Sequence, residues 1–334
     1  MPAKRIVLAE YFTTDDMAFV FGMRSDFQEP DIVELPLDQT ELRRFVYTNF
    51  GDRNQVRELI EMGLDELWHS YDYLIEPVVR WAEPEDVVYL VPHGLLHYIP
   101  LHALKLGGQY LIERNPVVYS PSASVLEYCC AKRKNTPDGK PARQTATIFG
   151  DSCGDLPYAR TEAEALAELF GVKALLGNAV TRDAFQQTII DADIVHFAGH
   201  GFFNPRQAME SGLRLTGTDV LTTREVFNLR GLHAQLVALS GCETGVNENR
   251  PGDELIGLTR AFLYAGTPSV LVSLWRVADT STAFLMKQFY TYLRTNPAMF
   301  KVDALRQAIL DTKNQSHWAS FYYWAPFVLI GDWQ

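Results

Sequence analysis

Cysteine is scarce in this sequence: there are four in 334 residues, Cys129, Cys130, Cys153 and Cys242. They make no C-x-x-C pair and no Cys/His spacing of the zinc-binding kind, so neither a disulfide scaffold nor a structural metal is expected. So few thiols suit a reducing compartment, where a reactive one stays usable. Positive charge is also short. With 30 Lys and Arg against 41 Asp and Glu, the net charge is −11, which argues against a nucleic-acid footprint and leaves solubility, or a basic partner or substrate, as its meaning. No apolar run approaches the roughly 20 residues of a membrane span. The opening MPAKRIVLAEYF has two basic residues but lacks the long apolar segment and small-residue cleavage site of a secretory leader. A cytoplasmic protein with no membrane contact is therefore expected. Internal repeats, low-complexity tracts and coiled-coil heptads are missing as well.

What remains is ordinary globular material, 47% hydrophobic and 21% charged, with length for about two domains. Residues 5–37 alternate apolar stretches with turn residues and read as a small β-meander. Asp38–Asn49 and Gln55–Trp81 carry apolar residues near helical spacing. Val87–Val91 reads as a short buried strand, Leu111–Tyr119 as further strand, and Ser122–Lys134 as a helix with a serine cap. The basic, turn-rich KRKNTPDGKPARQ, Lys132–Gln144, reads as an exposed linker, which places the division between 1–140 and 141–334. Beyond it the pattern alternates. Ala146–Phe149, Val172–Leu175, Ile194–Phe197, Leu236–Leu239, Ser269–Val272 and Phe327–Ile330 are strand candidates. Thr161–Phe170, Arg182–Thr188, Thr222–Asn228, Asp253–Ala265, Ser281–Leu293 and Val302–Asn314 are helix candidates. Such alternation predicts an α/β fold with a mostly parallel sheet covered on both faces.

Two segments carry the chemistry. DIVHFAGHGFF, Asp193–Phe203, and QLVALSGCETG, Gln235–Gly245, are apolar runs that end in glycine-bounded turns, one presenting His200 and the other Cys242. Open α/β sheets gather their chemistry at such strand ends. A thiol and an imidazole delivered there are the minimum for a cysteine nucleophile. The backbone amides of Gly201 and Cys242 are the candidate oxyanion donors. Rivals exist. His196 lies within the apolar run and reads as packed against the sheet. His93, after VVYLVPHG, repeats the His–Gly pattern and could pair with Cys153 of TATIFGDSCGD, although LLHYIPLHAL beyond it reads as packing. Cys129 and Cys130 sit on a helix, where inert thiols are the default.

These segments bring the chain to a family. DIVHFAGHG, LVALSGCETG, GDELIGLTRAFLYAGTPSVLVSLWRVAD and the closing FYYWAPFVLIGDW resemble the CHAT domain, a branch of the caspase–separase cysteine peptidases of clan CD. VPHGLLHYIPLHAL, YLIERNPVVYSPSAS and FGDSCGDLPYARTEAEAL extend the resemblance over nearly the whole chain. It implies a caspase-like three-layer sandwich with a mostly parallel central sheet in 141–334, preceded by an N-terminal α+β, pseudo-caspase-like subdomain in 1–140. It also implies that His200 is the catalytic histidine and Cys242 the nucleophile, with no cofactor. Separase-like relatives favour a basic residue before the scissile bond, held by an acidic pocket. Asp279 is the first candidate for that position, and Asp253 and Glu254 are second; Asp253 and Asp279 equally suit helix caps. Expected partners are a protein substrate and an activating partner or sensor subunit, within a bacterial regulated-proteolysis or defence system. With such specificity, the linker Lys132–Arg143 would hold bonds open to self-cleavage. Two other functions share these residues: a catalytically idle interaction module, and a cysteine hydrolase acting on a small amide.

Overall fold

A computed structural model describes residues 4–50, 64–133, 145–202, 204, 207–229, 232–240, 253–275 and 279–334. Its centre is set by short apolar runs that do not alternate. Val87–Val91 (β4), Ile194–Ala198 (β10), Leu236–Ser240 (β14) and Ser269–Ser273 (β15) are buried at every residue, as strands covered on both faces must be. The meander Ile6–Thr13 (β1), Met17–Arg24 (β2) and Asp31–Pro36 (β3) alternates instead, with one face buried in β1 and β2. Val117–Tyr119 (β7), Ala146–Gly150 (β8), Leu175–Leu176 (β9) and Phe327–Gly331 (β16) complete one eleven-stranded sheet, ordered β3-β2-β1-β4-β7-β16-β15-β14-β10-β8-β9. Lys105–Leu106 (β5) and Gln109–Tyr110 (β6) form a small hairpin. Gly201–Phe202 (β11), Gly212–Arg214 (β12) and Val220–Thr222 (β13) form a side sheet.

Strand direction decides where chemistry can gather. β15, β14, β10, β8 and β9 run parallel, so their C-terminal ends share one edge of the sheet. β16 runs antiparallel to β15, and β7, β4 and β1 run parallel to β16. Their C-terminal ends therefore emerge at the other edge. The seam β15/β16 thus joins two parallel blocks that face opposite ways. One hydrophobic core runs through both.

Helices cover the sheet. Among the described residues they are Gln39–Phe50 (α1), Glu76–Trp81 (α2), Leu111–Arg114 (α3), Ala123–Lys132 (α4), Pro157–Phe170 (α5), Arg182–Thr188 (α6), Thr223–Phe227 (α7), Asp253–Ala265 (α8), Asp279–Thr295 (α9) and Lys301–Lys313 (α10). α5 packs on β8, β10 and α9, and α9 packs on α10. α4 meets α8 through the Tyr128 hydroxyl, which donates to the Tyr264 carbonyl at 3.2 Å. The result is the expected caspase-like arrangement of helix layers about a mostly parallel sheet.

Local expectations fail where capping intervenes. Leu111–Arg114 turns helical because the Glu113 carboxylate accepts the Tyr110 amide at 2.9 Å; only Val117–Tyr119 of that stretch is strand. Gly171, at φ 68°, ends α5 in the left-handed conformation that glycine permits, so the following strand starts late, at Leu175. Leu64–Ile75 is 3-10 rather than α-helical, and a new helix starts where Pro77 sits in the first turn. Residues 51–63 and 134–144, including most of the basic linker, lie outside the described residues.

Candidate active site

β10 delivers His200 through a turn in which Gly199 packs tightly under the Phe197 ring. A Cβ at Gly199 would lie 2.8 Å from the ring of Phe197. The turn is tied down from both sides. The Asp151 amide donates to the Ala198 carbonyl at 2.9 Å, and the Arg214 amide to the His200 carbonyl at 2.9 Å. The Ser152 hydroxyl donates in turn to the Arg214 carbonyl at 2.6 Å. The imidazole is 15% exposed, and its Nε2 lies 2.9 Å from Oδ1 of Asp155, itself 61% exposed. With a carboxylate as partner, Nε2 carries the proton and Nδ1 the lone pair.

Asp155 belongs to the loop between β8 and α5. Asp151 anchors that loop at φ 48°. Its carboxylate accepts the Leu156 amide at 2.8 Å and is paired with Arg160. No sequence pattern singled out Asp155 beyond its place after a buried strand, and it is the polar partner that the reading of residues alone missed.

Cys242 lies outside the described residues, as does Gly241. The strand leading to it does not. β14 pairs in parallel with β10, with Ser240 opposite Ala198. His200 and Cys242 thus each follow the paired residues by two positions, on strands that run about 4.8 Å apart. Gly201 is the first residue of β11, opposite Leu213. The acidic candidates fall at helix starts: α8 begins at Asp253, followed by Glu254, and α9 begins at Asp279. α9 follows β15, whose C-terminal end lies on the same edge as that of β10.

The rival thiols and histidines sort by position. Cys129 is buried, and burial pushes its thiol up to about 12. Cys130 is exposed, its thiol also raised by the part of its surroundings that desolvates it. Cys153 is half-buried at the end of β8. His93 follows β4 and so stands at the opposite sheet edge, six strand positions from β8, about 29 Å laterally. A His93–Cys153 pair is geometrically closed off. His196 is fully buried, as its place inside an apolar run requires. Among the described residues no three His, Cys, Asp or Glu side chains converge as a metal site, and no helix is long and apolar enough to cross a membrane.

Comparison with known proteins bears on the family and the fold. The profile of the CHAT domain matches residues 67–332. Tetratricopeptide repeat protein 28 from Mus musculus and its namesake from Homo sapiens are each 28% identical over 297 residues. The match takes in 73% of this chain and 12% of theirs, so the chain spans a small part of the curated relatives. Among solved structures, separase in the Saccharomyces cerevisiae separase–securin complex superposes with a TM-score of 0.52 at 14% identity, over 73% of this chain and 15% of that one. The Arg-specific cysteine proteinase gingipain R superposes with a TM-score of 0.52 at 11% identity, over 79% of this chain and 66% of that one. At such identities the likeness is one of fold, and the fold is that of the clan CD cysteine proteases.

Proposed function

Because the chain belongs to the CHAT domain family and has the caspase/separase-like fold, we propose that it is a cysteine endopeptidase in which Cys242 attacks and His200 carries the proton. The observation that carries this reading is the hydrogen bond of His200 to Asp155, at a strand tip whose in-register neighbour leads to Cys242. A docking surface has no need of an imidazole oriented by a carboxylate, in a turn tied down by backbone hydrogen bonds at Ala198 and His200.

The chemistry runs as follows. His200 Nδ1 takes the thiol proton, and the thiolate attacks the carbonyl carbon of the scissile peptide bond. Asp155, on the far side of the ring, keeps the imidazole oriented and stabilises the imidazolium that forms. The Gly201 and Cys242 amides hold the oxyanion. The imidazolium returns its proton to the leaving amine, and water hydrolyses the thioester. No metal or organic cofactor enters.

Cleavage after Arg or Lys is the proposed specificity. The name of gingipain R supports it, and so do three carboxylic residues, Asp253, Glu254 and Asp279, in the first turns of helices. A confined carboxylate binds a guanidinium by two charge-assisted hydrogen bonds. The proposed setting is cytoplasmic regulated proteolysis, on the family's bacterial defence pattern, with an activating partner or sensor subunit. Tetratricopeptide repeat protein 28 of mouse and human is mammalian, so the setting rests on family resemblance and the chemistry on the site. A peptide ending in an arginine electrophile tests the chemistry. Labelling lost in Cys242→Ala and kept in Cys153→Ala is the expected result, and the reverse rejects the proposal.

A further inference from the structure

Directly beneath the two strand tips, four polar side chains meet in the core, where the proposed chemistry has no use for them. His196 of β10 and Tyr290 of α9 are fully buried, and Glu162 of α5 and Ser240 of β14 nearly so. His196 Nε2 lies 2.8 Å from Glu162 Oε1, and the Ser240 hydroxyl donates to that same oxygen at 2.5 Å. The Tyr290 hydroxyl lies 3.2 Å from His196 Nδ1. Ser240 Oγ is also 3.2 Å from His196 Nε2.

One arrangement of protons satisfies all four. Burial and the neighbouring Glu162 carboxylate hold the Tyr290 phenol well above its usual range, so it stays protonated and donates to Nδ1. The ring then donates from Nε2 to the Glu162 carboxylate, which also accepts a hydrogen bond from the Ser240 hydroxyl. A buried carboxylate is costly, and well-packed apolar residues of similar volume would serve stability at least as well. The cluster therefore calls for another use, and its place suggests one.

Ser240 is the last residue of β14, two before Cys242, and its carbonyl accepts the Gly199 amide at 3.3 Å, next to His200. His196 stands opposite Ala238 on the same strand. Glu162 comes from α5, whose first residue follows the Asp155 loop directly. α5 is seated against β8 where a Cβ on Gly150 would lie 2.4 Å from that of Ala163. One carboxylate thus ties the helix behind Asp155 to the strand before His200 and the strand before Cys242.

We propose that Glu162, His196, Ser240 and Tyr290 are positioning residues, which lock the tips of β10 and β14 in register and thereby set the reactivity of Cys242. The proposal rests on the Cys242–His200 reading, and its test separates the two. Alkylation of the intact protein by iodoacetamide is followed residue by residue by mass spectrometry from pH 5 to 10, with the exposed Cys130 as internal reference. Ser240→Ala and Tyr290→Phe each remove one hydroxyl. Each is expected to slow Cys242 about tenfold, in line with the cost of small misplacements at a reacting centre, and to displace its pH profile. Cys130 should be unchanged. The double variant should be no slower than Ser240→Ala alone, because both act through one network. Ser240→Thr, which keeps the hydroxyl, should recover most of the rate. A cluster serving stability alone would lower the urea midpoint of these variants yet leave the rate and pH profile of folded protein untouched. That result, with Cys242 slowed in His200→Ala, overturns the positioning role and spares the Cys242–His200 pair. Wild-type alkylation in His200→Ala overturns the pair itself, and the positioning role with it.

Discussion

The block β1, β4, β7, β16 and the block β15, β14, β10, β8, β9 are built alike and face opposite ways. In each, a fully buried five-residue strand runs into a His–Gly turn: β4 into His93–Gly94, and β10 into His200–Gly201. The two imidazoles then meet different partners. Nδ1 of His93 accepts the Thr13 amide at 3.1 Å, and the ring lies against Phe12 with centroids 5.0 Å apart. Nε2 of His200 faces a carboxylate instead. Two further histidines beyond β4 show no carboxylate partner among the described residues. Burial lowers His97 to about 4, helped by Arg260 and His93, and lowers His102 to about 3. The difference teaches that a histidine's chemistry is set by what its nitrogens meet, and that strand direction decides which thiol can reach it.

The sharpest way to break this comparison is to remove each imidazole. His200→Ala should cut labelling by the arginine electrophile by about a thousandfold or more, as loss of a proton-transfer partner does in related chemistry. His93→Ala should leave the rate within about twofold, the scale of a surface change remote from the site. Equal losses in both, measured as second-order labelling rates, would dissolve the distinction between the blocks.

Acid sharpens the same contrast through stability. His97 and His102 have folded pKa values below that of an unfolded histidine. Between the two, the unfolded chain binds more protons than the folded one, so stability falls as pH drops. The loss begins near pH 6.5 and continues to about 4 for His97 and about 3 for His102. Each histidine contributes a slope of about 1.4 kcal/mol per pH unit within its window. Urea midpoints at pH 7 and pH 4.5 should therefore differ more in the parent protein than in His97→Gln/His102→Gln. A difference of the same size in both would mean that these two rings do not govern acid lability.

Much of this was legible because it depends on short-range pattern. Unbroken apolar runs named the buried strands, and the glycine-bounded turn marked where β10 ends before His200. Directions were not legible, since a five-residue apolar run reads the same in either sense. The antiparallel pairing of β16 with β15, which sends His93 to the far edge, arises from residues 269 and 331 meeting across 62 positions of chain. Asp155 was hidden for a related reason: an exposed acid in a polar loop looks like solvation until the fold brings it to a ring 45 residues away. Glu162 did leave a trace. It lies on the buried stripe Ala159, Ala163, Leu166, Ala167, Phe170 of α5, where a charge needs a partner, and His196 in the middle of an apolar run has the same need.

The smallest effect tests the bond that separates the two histidines. Asp155 is largely exposed, so water and salt screen its charge, and its worth should fall below that of a buried catalytic carboxylate. Asp155→Asn keeps the shape and removes the charge, and should slow labelling about tenfold, the lower end for residues that orient a functional histidine. Asp155→Glu should restore part of it. Because Coulombic attraction at an exposed site shrinks with ionic strength, the gap between parent and Asp155→Asn should narrow as salt is raised. If the gap is absent at low salt, the ring is oriented by its backbone stitching alone, through the His200 carbonyl and the Arg214 amide. His200 would then differ from His93 by position on the sheet rather than by partner.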